Sequence, residues 1–525
     1  MMDKWIRGSR SLVAVAVAAV ALAGCGGGAS SSTTSSADSG ELDSSATLRV
    51  ATAAPSRNLD PYLQTSVGGY GYLSPIFDRL TVVDADSNLE PGLAESWEFA
   101  ADGSYLDLKL RQGVTFHDGT PFDAAAVAAN IKRGQTMEGS TVVAAFKNIT
   151  ATEVVDDHTV RLRLAPGSGV ELPGVFSTNA GMMISPKAIE AGTDIRNDPG
   201  KSGSGAYEVA SYVPEETLVL VRAEGTNWDP EAGKVAGIEI KAMPDASTRL
   251  NGLKTGAVDL SWVSSANEVV EAQSLAKSGT LAVDEVSFRN VLGVYMRAQG
   301  DLTKPEVRQA VAYSIDPAAI SALFSGTCTP YQQLFPAGSW AADDSYEYPY
   351  AFDLDKAKSI VQGAGGAPKI TLTFGAGTNT EKPANVIQSM LAAAGFDAEL
   401  NPVPNSQNEP RYAAGDFQSM VANSFTPKVD PAETVNTYVL GAYDLSNGNP
   451  QIKELAAKAA NPTLSQDERA PLYQDIGDQT LKEAMFVPIC NLTNATVAVD
   501  KVVGIDGIPW VNNGLFDIRH VGIAK

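Results

Sequence analysis

The residue types that carry most catalytic and metal chemistry are sparse in this chain and do not assemble into a site. Three histidines, His117, His158 and His520, are spread over 525 residues. No two of them are spaced to face one metal ion, so neither a bound metal nor a cofactor is expected. The Gly-x-Ser-x-Gly, His-Glu-x-x-His and Gly-x-x-x-x-Gly-Lys-Ser/Thr patterns are absent, which removes the usual routes to acyl transfer, zinc hydrolysis and phosphate binding. Ser274-Leu275-Ala276-Lys277 sets a hydroxyl and an amine one helical turn apart, and Lys254-Thr255-Gly256 offers a second fragment of a serine-acylation site. Their order is the reverse of the one such enzymes use, and Lys254-Thr255-Gly256 reads better as a helix end. A secreted serine hydrolase is therefore the distant alternative, and a binding protein without catalytic residues is the expectation.

One thiol does have a chemistry written around it. Lys4, Arg7 and Arg10 precede an unbroken apolar run from Leu12 to Ala23, the charge and length of a secretory signal rather than a membrane span. Leu22-Ala23-Gly24-Cys25 follows directly and looks like a bacterial lipobox, in which the Cys25 thiol is alkylated by diacylglycerol before cleavage. Residues 1–24 are thus expected to be a signal peptide. Residues 25–47, rich in Gly, Ser and Thr, read as the lipidated cysteine and a flexible tether. The expected location is the extracytoplasmic face of the cell membrane, with the lipid as anchor. Two cysteines remain, Cys328 and Cys490, in a compartment that permits disulfides. Spacing alone leaves open whether they bridge or lie apart as buried thiols.

The elements that must position any site are of mixed type. The length suggests several domain-sized units, and 44% hydrophobic with 19% charged residues is ordinary globular composition. A formal net charge of -22 repels phosphate backbones, so nucleic acid is not an expected partner. Leu48–Ala51 reads as a first strand, and Tyr105–Leu110 alternates as a half-exposed strand. Asp353 can cap a helix that the glycines at 363, 365 and 366 end before a strand over 369–374. A second helix over 381–394 stops at Gly395 and leads into a strand over 396–403, which together make a βαβ unit. No long Pro-rich or charged linker interrupts the chain after residue 48.

Three ordered stretches resemble the family 5 extracellular solute-binding proteins, the substrate-binding lipoproteins of oligopeptide, dipeptide and nickel ABC importers. The first is Leu93-Ala94-Glu95-Ser96-Trp97, then Gly113-Val114 and Phe116-His117-Asp118-Gly119-Thr120-Pro121-Phe122. The second is Gly203-Ser204-Gly205-Ala206-Tyr207, Asn227-Trp228, Pro244-Asp245 to Leu250 and Gly256-Ala257-Val258-Asp259. The third runs from Val307-Arg308-Gln309 to Ile315-Asp316. The resemblance implies an α/β, two-lobed periplasmic-binding-protein-like fold of type II, cluster C, with two hinge crossings, placed near 285–295 and 485–498. Lobe I would take residues 48–288 with an inserted subdomain at about 77–200, lobe II residues 289–490, and residues 491–525 would return to lobe I. Most signature residues read as structural: Asp118-Gly119 as a turn, Pro121 and Asp123 as a helix start, Gly256 as a helix cap.

The resemblance also implies a peptide or peptide-like solute held in the interlobe cleft and delivered to the permease subunits, by a monomer. An oligosaccharide, a metal chelate or another small organic solute is the alternative ligand, and sensing the alternative to transport. Relatives capture the peptide amine with an acidic residue of lobe II. The matching stretch here, Ser424-Phe425-Thr426-Pro427-Lys428-Val429-Asp430-Pro431, keeps the downstream Asp-Pro but no obvious aspartate before it, leaving Asp430 as a substitute or as a helix-start residue. Further candidate contacts are Tyr62, Tyr70 and Tyr72 after the first strand, Trp262 after Asp259, Tyr331 with Gln332, and Ser424.

Overall fold

A computed structural model describes residues 41–53, 56–64, 69–263, 265–507 and 517–525. Cys25, the apolar leader and the tether up to residue 40 lie outside the described residues. The expected tether runs to residue 47, whereas from Glu41 onward the chain is held against its own C-terminus. Asp43 donates to Ile523 at 2.7 Å, Lys525 donates to Glu41 at 3.0 Å, and Leu42 bridges Ala524.

The frame is one eleven-stranded sheet. Its first half contains Thr47–Thr52 flanked by the parallel strands Gly237–Ala242 and Leu260–Val263, with Thr217–Arg222 and Tyr207–Val213 completing the edge. Its second half contains Lys369–Gly375, parallel to Asp397–Val403 and next to Ser419–Phe425. The halves are joined by two long antiparallel strands, Ala282–Met296 and Phe486–Ala498. The stretches expected as crossings lie on these two strands. Their pairing slips between Val286 and Asn290 and again between Leu292 and Gly293, and such irregularities let a sheet bend locally. One continuous sheet thus runs through both halves, and each half has its own apolar cores.

Local sequence explains these elements. Leu106, Leu108 and Leu110 point inward and are buried, while Asp107 on the outer face meets its register partner Arg161 in two 2.8 Å bonds. This strand belongs to a separate four-stranded sheet, Ala94–Phe99, Tyr105–Leu110, Thr159–Leu164 and Ile149–Asp156, which packs on the helix Ala124–Thr136 around its own core. Asp123 caps that helix through the Ala126 amide. In the second half, Asp353 caps Leu354–Gly363 through the Lys356 amide, and Glu381–Ala394 ends on Gly395 in the left-handed region. Apolar cores cover both faces of this half.

The signature residues hold backbone. Gly203 and Gly205 lie against the carbonyls of Ile76 and Pro75, where a Cβ would stand 2.1 and 2.3 Å from those oxygens. Asp259 accepts two bonds from the Arg49 guanidinium, at 2.8 and 2.7 Å, tying Thr47–Thr52 to its neighbour strand. The C-terminal segment is pinned by charge: Arg519 reaches Asp78 at 3.1 Å and Asp517 at 2.9 Å, and Asp517 also pairs with Arg79. Burial pushes the Asp517 carboxyl up, but Arg519 and Arg79 outweigh it and hold it well below the usual carboxylate range.

Cys328 and Cys490 are joined in a disulfide with Cα atoms 5.4 Å apart. Strand Cys328–Pro330 pairs with Phe486–Ala498 in a register that sets Pro330 opposite Cys490, so the bridge pins a short strand to the second crossing strand. The bridge closes a loop of 162 residues. Reducing it under native conditions is expected to lower unfolding stability by about 2–4 kcal/mol, read by denaturant titration. An unchanged midpoint would show that the β-pairing alone fixes this segment.

Candidate functional site

Strand Ser419–Phe425 runs out into residues 426–430 and the short helix Pro431–Thr434, which continues as one turn of π-helix, Val435–Val439. A π turn inside a helix is often found at functional positions. Facing this segment are the helices Val143–Phe146 and Leu172–Val175 and the start of Tyr70–Leu73. The approach is close at Gly174, where a Cβ would stand 3.1 Å from the Val429 Cβ. Two hollows flank that contact, and Lys428 lines both.

The first hollow, of about 450 Å³, is lined by Tyr70, Lys147, Glu171, Lys428 and Glu433 among others. Its wall therefore carries both signs of charge beside an aromatic ring. The Lys428 ammonium stands 3.2 Å from Glu433 Oε1, with the two side chains 16% and 20% exposed. Burial alone would pull the Lys428 ammonium down. Glu433, Tyr438 and Tyr70 outweigh it and the ammonium is held above its ordinary range. Glu433 Oε2 is buried with no hydrogen-bond partner. Burial also pushes the Glu171 carboxyl up, and the Tyr70 hydroxyl to about 12.

The second hollow, of about 620 Å³, is lined by Trp97, Phe99, Trp340, Lys428, Asp430 and Arg469 among others. Asp430 is engaged by its own fold here. It caps Pro431–Thr434 through the Ala432 amide at 2.8 Å and takes both arms of Arg469, at 2.9 and 2.7 Å. The Arg469 guanidinium lies over the Trp340 ring at 5.1 Å.

The other expected contacts are dispersed. Tyr70 lines the first hollow and Asp430 the second, whereas Tyr62 is wholly buried in the core around the four-stranded sheet, edge-on to Phe146. Tyr72 is buried with its hydroxyl on Thr52. Ser424 donates to Glu409 at 2.6 Å, and Tyr443 donates to the same carboxylate at 3.0 Å. Trp262 is half-buried and pairs through its backbone with Thr496 on the second crossing strand. Tyr331 donates its hydroxyl to Phe335 at 2.7 Å, with Gln332 half-buried next to it. Ser274 and Lys277 are exposed on the helix Ala266–Lys277. The residues that sequence reasoning passed over are Lys147, Glu171, Lys428 and Glu433. Lys428 and Glu433 bracket Asp430, but their facing a hollow depends on residues far away in the chain.

Comparison with known proteins places this geometry among relatives. A family profile described as bacterial extracellular solute-binding proteins, family 5 middle, matches residues 88–444. The glutathione-binding protein GsiB of Salmonella paratyphi A is 26% identical over 460 residues, covering 84% of this chain and 88% of that protein. Among solved structures, DppA from Helicobacter pylori, an ABC transporter-associated periplasmic binding protein in complex with the peptide STSA, has a TM-score of 0.76 at 22% identity. It covers 92% of this chain and 98% of its own. NikA from Brucella suis in complex with Fe(III)-EDTA has a TM-score of 0.78 at 23% identity, over 91% and 100%. At such identities the solved structures speak for the fold, which is that of the type II periplasmic-binding proteins.

Proposed function

Because the chain belongs to the bacterial extracellular solute-binding proteins of family 5, we propose that it captures a small peptide or peptide-like solute and delivers it to the permease of an ABC importer. The capture site is the cleft that includes the hollow lined by Tyr70, Lys147, Glu171, Lys428 and Glu433. Lobe I comprises residues 48–288 and the return 491–525, and lobe II residues 289–490, with the hinge in the two long strands. Cys25 carries the lipid that holds the protein to the extracytoplasmic face of the membrane, and the protein acts as a monomer.

The observation that carries the ligand class is the charge pattern of the hollow. Two ammonium groups and two carboxyl groups on one wall suit a small zwitterion, which presents both signs, better than a neutral sugar or a uniformly anionic chelate. The names of two relatives run the same way, one glutathione-binding and one seen with the peptide STSA. Ligand contacts made on both sides of the cleft favour the closed form, so binding energy biases a two-state hinge. The permease then meets a closed, loaded shape.

The test is native mass spectrometry of the full chain taken from membranes in mild detergent, followed by thermal unfolding with peptide pools. Co-purifying masses that fit peptides are expected, together with stabilisation of about 2.7 kcal/mol at a hundredfold excess over Kd. One defined non-peptide mass together with indifference to every peptide pool would transfer the role to a different solute and leave the fold untouched.

A further inference from the structure

We infer that Val429, seated against Gly174, sets the upper length of the solute by dividing the cleft, an inference that rests on the cleft being the ligand site. The division is visible in the geometry. Gly174 belongs to the short helix Leu172–Val175 on one wall, and Val429 to residues 426–430 on the other. The Gly174 backbone comes so near that a Cβ there would stand 3.1 Å from the Val429 Cβ and 3.5 Å from the Asp430 amide nitrogen. Only glycine lets the walls meet at that separation without displacing one of them. On one side lies the hollow of about 450 Å³, with Tyr70 and Lys147 in its wall, and on the other the hollow of about 620 Å³, with Trp97 and Trp340.

Both walls are fixed where they touch. The Gly174 carbonyl accepts from the Ser177 amide at 3.1 Å and from its hydroxyl at 2.7 Å, and the Pro173 carbonyl accepts from the Thr81 hydroxyl at 2.6 Å. Opposite, Asp430 is held by Arg469 and by the Ala432 amide, which leaves Val429 little freedom to withdraw. A pinch between two anchored walls acts as a stop. An extended chain advances about 3.3–3.6 Å per residue, and a space of about 450 Å³ is roughly 8 Å across if it is as wide as it is long, so two or three residues fill it. A longer solute has to pass the pinch into the second hollow. The Val429 side chain is the removable part of the stop, because it is half-buried and lies outside the apolar cores of the described residues.

Native mass spectrometry of the full chain, incubated with equimolar mixed-sequence peptide pools of two to six residues, reads the retained lengths directly. Wild type is expected to retain two- and three-residue masses, with five-residue peptides at least about tenfold less occupied. In Val429→Gly the five-residue peptides should rise to near parity with the three-residue ones, while Val429→Ile, which keeps the branch at Cβ, should keep the wild-type lengths. Each length ratio comes from one spectrum and does not depend on the fraction of protein that is folded. Wild type that retains all lengths alike, a Val429→Gly variant with the wild-type ratio, or a Val429→Ile variant that shifts as Val429→Gly does, overturns the stop while peptide capture stands. Retention of no peptide at any length overturns the capture reading itself, and the stop with it.

Discussion

Asp430→Ala is expected to lower unfolding stability by about 3–5 kcal/mol for the broken ion pair, and by about 1 kcal/mol more for the lost helix cap. The Asp430 carboxylate is the only acid ion-paired with Arg469 among the described residues. That guanidinium, with its side chain 5% exposed, would keep only Ala459 and Tyr473 as hydrogen-bond partners. Removing one partner of a buried pair costs far more than the pair contributes, because an uncompensated charge stays behind. Arg469→Met should therefore cost a similar amount. The double variant Asp430→Ala, Arg469→Met should recover most of the pair term, since it leaves no charge stranded. Urea unfolding of the three variants measures this. A loss of under about 1 kcal/mol in Asp430→Ala would mean that the fold does not need this carboxylate, and that it is available to a ligand after all.

This prediction shows where sequence reasoning reached and where it stopped. The segment from Asp353 to Val403 was legible because its signals are local: a capping carboxylate, a glycine in the left-handed region after Ala394, and apolar alternation in Lys369–Gly375. The strand Tyr105–Leu110 was legible for the same reason. The site depends on distant partners. Tyr62 stands next to a Gly-rich loop in the sequence, yet Phe146 and Arg133 close over it and make it core. Ser424 has the hydroxyl a ligand would use, but Glu409 already takes it. A search for an acid ahead of Asp430 missed Glu433 behind it, because only the reversal of the chain into Pro431–Thr434 turns that side chain toward Lys428. The cysteines likewise needed the register of Cys328–Pro330 on the second crossing strand before a bridge could be told from two buried thiols.

The family signature was read correctly as structural for a physical reason. Asp118 accepts from the Thr120 amide at 2.9 Å and from Ser185 at 2.6 Å, and Gly256 follows the helix Ala246–Lys254 in the left-handed region. Turns, caps and close approaches of this kind must be met whatever solute is bound. The residues proposed to select the solute line the hollow, and there a single chain offers chemistry but no pattern. Lys428 and Glu433 are recognisable as a pair only when the wall is assembled.

Cys25→Ala should move the protein from the membrane fraction to the surrounding medium almost completely. A diacylglyceryl anchor of the kind proposed at Cys25 would contribute about 0.8 kcal/mol for each buried methylene, enough for two chains to hold a protein at the membrane. Among the described residues no helix is long and apolar enough to cross a membrane. Release should leave solute affinity unchanged, because Cys25 lies far along the chain from the cleft residues, but uptake should fall as the local concentration of loaded protein at the permease is lost. Fractionation with an antibody to the body, paired with solute binding by the released form, reads both. Full retention of Cys25→Ala in membranes would show that some other element holds the protein there.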